Sequence, residues 1–90
     1  MASRTREQHE QLLKELNEER LAALTRISRT LESLIEQMKQ VGDGDRRAYE
    51  ALRQQALTYR WYLEVQREAL GIRHHRMLDE FYRIPGPAEA

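Results

Sequence analysis

Upstream of residue 41 the apolar positions recur in alternating steps of three and four: Leu24, Ile27, Leu31, Leu34, Met38 and Val41. That alternation is the seam of an α-helix packed lengthwise on another helix. Leu21 and Ile35 lie on one flank of the seam and Leu16 and Ala23 on the other. The apolar stripe is therefore wider than a two-stranded seam and suits a bundle. Further upstream the register runs on through Leu13 but meets Asn17 and Arg20 where apolar residues are expected, which predicts looser packing of the first turns.

A second seam runs through Tyr49, Leu52, Ala56, Tyr59, Leu63 and Leu70, interrupted only by Gln66. Trp61, Tyr62, Val65, Ala69 and Ile72 flank it, and Met77, Leu78, Phe81 and Tyr82 are spaced for one helical face. Between the seams stands "VGDGD", residues 41–45, whose glycines supply positive-φ positions and whose aspartates supply a capping oxygen. It reads as a tight helix–helix turn; a phosphate loop needs a basic residue and a length that it lacks. "IPGP", residues 84–87, cannot continue a helix.

The expectation is an all-α chain forming one domain over residues 1–90. Helix 1 covers about residues 6–41, the turn 42–44, helix 2 about 45–83, and a frayed tail 84–90. Two nearly equal helices of about 36–39 residues around a short turn make a long antiparallel hairpin. A turn centred between residues 43 and 44 places Leu24 near Leu63 and Leu31 near Ala56. Gly71 falls inside helix 2. As an interior position it costs about 1 kcal/mol relative to Ala; the other reading is a break there, with residues 72–83 folding back as a third short helix. Both stripes are too wide to be covered by one neighbour, so the hairpin is expected to dimerise into a four-helix bundle. The residues assigned to the assembly seam are Leu24, Ile27, Leu31, Leu34, Leu52, Tyr59, Leu63 and Leu70.

Composition fits thin helices: charged residues make up 33% of the 90 and apolar residues 40%, too polar a mix for a thick globular core. Formal charge is zero, but residues 1–45 carry 7 Lys/Arg and 9 Asp/Glu whereas residues 46–90 carry 8 and 6. That small asymmetry favours antiparallel pairing of the halves and is no concentrated nucleic-acid footprint. Without cysteine, disulfides and thiolate chemistry are excluded. The opening "MASRTREQHE" has no apolar run of the kind a secretory signal needs, and no stretch approaches the length of a membrane span, so a cytoplasmic protein with no membrane contact is expected.

Candidate chemistry is sparse. His9, His74 and His75 come within about a helical turn of one another in the hairpin, and His75 and Asp79 share a face. Consecutive histidines diverge by about 100° around a helix, and no Glu-x-x-His pair accompanies them, so no metal site is assigned. Glu64 and Glu68 belong to solvated ion-pair faces, and Ser28, Thr30 and Ser33 lack a nucleophile setting. No catalytic or cofactor-binding residue is assigned and the protein is read as non-enzymatic. Its expected role is that of a protein–protein interaction module, a small adaptor, scaffold or assembly factor, with a second copy and a further protein as partners. Trp61, Tyr62, Arg73, His74, His75 and Arg76 are the candidate partner-binding residues, since aromatic and Arg side chains dominate interface energetics.

The alternative is a nucleic-acid-binding helical dimer. Arg46, Arg53, Arg60 and Arg67 recur every seven residues and so line one edge of helix 2, a row able to meet phosphates. The competing reading pairs that edge with acidic residues of the facing helix, among them Glu15, Glu19, Glu32 and Glu36.

Overall fold

The computed structural model of the protein describes residues 2–88, with side chains from Thr5 onward. Helix α1 runs Ala2–Val41, α2 Arg46–Ala69 and α3 Arg76–Phe81, and no strand occurs among the described residues. Gly42, at φ +51, ends α1 by adopting the left-handed conformation, and its amide donates to the Met38 carbonyl at 2.9 Å. Asp45 opens α2 from extended backbone, its Oδ1 accepting the Ala48 amide at 3.0 Å. One exposed donor of the new helix is thereby satisfied.

α1 and α2 pack antiparallel, as the two seams require. Leu31, Leu34, Ile35 and Met38 from α1 are buried against Ala56 and Leu63 of α2, with Leu24, Ile27, Tyr49, Leu52 and Tyr59 half-buried around them. The core thus follows the alternating three-and-four steps on both helices.

The hairpin is not symmetrical. α2 has 24 residues against 40 in α1, so the expected single helix over residues 45–83 is corrected to two helices separated by an irregular link. The stop is at Gly71, with φ +86. There the Ile72 amide donates to the Arg67 carbonyl at 3.0 Å and the Gly71 amide to the Glu68 carbonyl at 2.9 Å. This paired closure satisfies the last carbonyls of a helix whose next residue is left-handed. Gly71 is therefore a terminator, and the chain reverses.

After the reversal α3 and residues 82–88 run back along α2 towards the hairpin turn. Leu78 is buried in the common core and Tyr82 and Ile84 pack against it. The expected frayed tail is corrected as well: residues 84–88 are held to α2, and of the tail only residues 89–90 lie outside the described structure. The molecule is a rod of 68 × 20 × 15 Å. At one end it is three layers thick; at the other, α1 continues alone.

Candidate helical docking surface

The heptad row of arginines on α2 faces the returning C-terminal segment. Arg53 Nε donates to the Pro85 carbonyl at 3.2 Å, Arg60 Nη2 to Asp79 Oδ1 at 2.6 Å, and Arg67 Nη2 to the His74 carbonyl at 3.0 Å. Residue numbers rise along α2 as they fall along the segment, which is the signature of antiparallel docking. Arg60 also pairs with Glu64 one turn ahead. Burial alone lowers the Arg60 pKa, but its hydrogen bonds and charge pairing with Asp79 and Glu64 more than offset this, leaving the value raised. Tyr49 Oη donates to the Gly86 carbonyl at 2.6 Å, and Glu50 Oε1 accepts from the Ala88 amide at 2.6 Å. His75 Nε2 lies 3.0 Å from Glu68 Oε1 across the reversal. The arginine edge is therefore a clasp within the chain. Within the fold its partners are on the C-terminal segment and not the acidic residues of α1, and Arg46 alone of the four stays exposed.

With α1 on one side of α2 and the C-terminal segment on a second, a third side stays open. It carries Ala51, Gln54, Thr58, Trp61, Val65 and Ala69, in steps of three and four, with Leu57 and Tyr62 beside them. Every one of these residues is exposed and none is charged. The strip is about 27 Å long. Trp61 is 59% exposed; its ring stands 5.6 Å from that of Tyr62, which in turn meets Tyr59 edge-on at 5.4 Å. Such ring contacts fix the aromatic side chains before anything binds.

The candidate residues fall into separate places. Trp61 and Tyr62 belong to the open strip. Arg73 and His74 are exposed in the link after α2, Arg76 is exposed at the first turn of α3, and His75 is half-buried against Glu68. Of the assembly-seam residues, Leu31, Leu34 and Leu63 are buried inside the hairpin and the other five are half-buried. Among the described residues no group of three or more His, Asp or Glu side chains is placed to hold a metal ion. No helix among them is long and apolar enough to cross a membrane.

A second exposed apolar surface lies at the start of α1. Residues 5–19 are all exposed, including Leu12, Leu13 and Leu16. The boundary is Arg20, whose Nη1 donates to the Ala69 carbonyl at 3.1 Å, where α2 ends. The polar interruption of the first seam is thus the residue that closes the last turn of α2, and the apolar positions upstream of it have no helix beside them.

No protein-family model, curated protein or solved structure matches this chain.

Proposed function

We propose that the protein is a non-enzymatic protein–protein interaction module, an adaptor or assembly factor that docks helices onto the outward side of α2. The observation that carries this reading is the uncharged, exposed strip from Ala51 to Ala69 in a chain that is one-third charged. A helix face of that composition has no reason to face water along its whole length, and contiguous exposed apolar surface of this kind marks an interface. Trp61 and Tyr62 lie within the strip and are the anchors, large apolar side chains that need little further ordering.

The same side completes a helical bundle. A second copy bringing a helix to this side of α2 forms the bundle that the width of the stripes favours. The arginine edge supports this class of function over nucleic-acid binding, because Arg53, Arg60 and Arg67 already hold the C-terminal segment. The rod offers an open groove of about 450 Å³ beside Trp61, bordered by Leu57, Arg60 and Tyr82, which gives a docked helix room for one projecting side chain. The test is co-purification of a tagged chain with untagged copies and other proteins of its cell. The Trp61→Ala/Tyr62→Ala double variant is expected to lose what the unmodified chain retains; equal retention by both contradicts the reading.

A further inference from the structure

We infer that the helix docking on the outward side of α2 is the N-terminal arm of α1, residues 5–20, from a second copy of this chain. The inference rests on the outward side of α2 being a docking surface, and names its occupant.

Two exposed apolar surfaces of the fold match. On the arm the exposed large apolar residues are Leu12, Leu13 and Leu16; on α2 Trp61, Tyr62 and Val65 repeat that spacing, with Leu57 one turn before them. The offset between the two sets is the 49 residues that separate Arg20 from Ala69, seven whole heptads. Laid parallel in that register, Leu12 meets Trp61, Leu13 meets Tyr62 and Leu16 meets Val65. His9 then falls beside Thr58, and residue 5 reaches Gln54. Sixteen residues of arm cover sixteen residues of strip, about 24 Å of each.

The placement of the helices makes the exchange reciprocal. The arm carries onward the seam that α1 already buries against its own α2, beyond the point where Ala69 ends that helix. The open strip is on the side of α2 turned away from α1. A two-fold axis near the Arg20–Ala69 contact therefore brings each arm onto the strip of the other copy. The two α2 helices then stand end to end, held between two continuous α1 helices running in opposite directions. The C-terminal segment lies on the remaining side of α2 and borders the strip only at Leu57 and Trp61, where Tyr82 lines the shared groove. One symmetry operation covers both surfaces on both chains, which is the economy of a closed isologous dimer. An isolated helical arm of this length is only marginally stable in water, and a neighbouring helix removes that weakness.

The chain has no cysteine, so introduced thiols report on the contact directly. Full-length Leu13→Cys mixed with full-length Tyr62→Cys is expected to give a cross-linked pair, whereas Gln37→Cys, on the exposed back of α1, gives none with either. In sedimentation the unmodified chain is expected at twice 10.7 kDa and the Leu12→Glu/Leu13→Glu/Leu16→Glu variant at the single mass, with the hairpin core kept because these side chains lie outside it. A single mass for the unmodified chain up to about millimolar concentration overturns the inference. So does a dimer that survives the triple change, or Tyr62→Cys linking only to itself. If the triple variant still captures the partners that Trp61→Ala/Tyr62→Ala loses, the α2 surface stands and the arm is not its occupant.

Discussion

Arg60, one of three arginines on α2 that reach the returning chain, holds Asp79 of α3 at 2.6 Å across the reversal at Gly71. The pair ties two segments that the local spacing of apolar residues would equally have let run on as one helix.

Removing Asp79's charge isolates the value of that tie. Asp79 is largely exposed while Arg60 is mostly enclosed, so solvent screening leaves the pair worth about 0.5–1 kcal/mol. Asp79→Asn should lower the unfolding free energy from urea denaturation by that amount, with Arg60→Ala costing more because Glu64 also loses its partner. Since the Arg60 pKa is raised on folding, its contribution is complete below the ordinary guanidinium range and is lost only as pH rises through the still higher folded value. Titration of Arg60 itself should therefore leave stability flat through neutral pH.

Leu78→Ala tests whether α3 is part of the core. Leu78 is 3% exposed, and truncation of such a side chain costs about 2–4 kcal/mol. Amide exchange over residues 76–84 should accelerate together with the loss in denaturation, while Leu13→Ala, on the exposed arm, leaves the stability of the folded monomer nearly unchanged.

Gly71→Ala probes the reversal itself. Nothing lies within 4 Å of an added Cβ, so the cost arises from the φ of +86 alone, about 1 kcal/mol. Gly86→Ala, in equally open space but without a positive φ, should cost much less in the same denaturation experiment.

Tyr49→Phe deletes the 2.6 Å bond to the Gly86 carbonyl and keeps the ring in place. A loss of about 0.5–1.5 kcal/mol, with faster exchange at the Ala88 amide, is the expected outcome if the tail is docked along its full length.

The hairpin was legible because its determinants are periodic and local. Leu24 to Met38 and Tyr49 to Leu63 mark the two seams, and Gly42 and Asp45 mark the turn. Gly71 was legible only as an ambiguity: Met77, Leu78, Phe81 and Tyr82 lie on one face whether the helix continues or restarts, and what decides is the closure of three amides after Arg67. The destination of the arginine row was hidden for a different reason. Two of its three partners are main-chain carbonyls, of His74 and Pro85, and carbonyls leave no trace in a charge pattern. The open strip was half visible, through Trp61 and Tyr62. Its continuity from Ala51 to Ala69 emerged once the C-terminal segment had been seen to cover the other flank.

Trp61 is the only tryptophan in the chain and sits in the middle of the open strip. Its fluorescence measured across a dilution series tests most directly whether that strip is covered in the assembled protein. Emission is expected to shift to the blue and become shielded from a soluble quencher as concentration rises, and Leu12→Glu/Leu13→Glu/Leu16→Glu to abolish the change. Emission of a solvated indole, equally quenched at every concentration in both proteins, would contradict coverage of the strip.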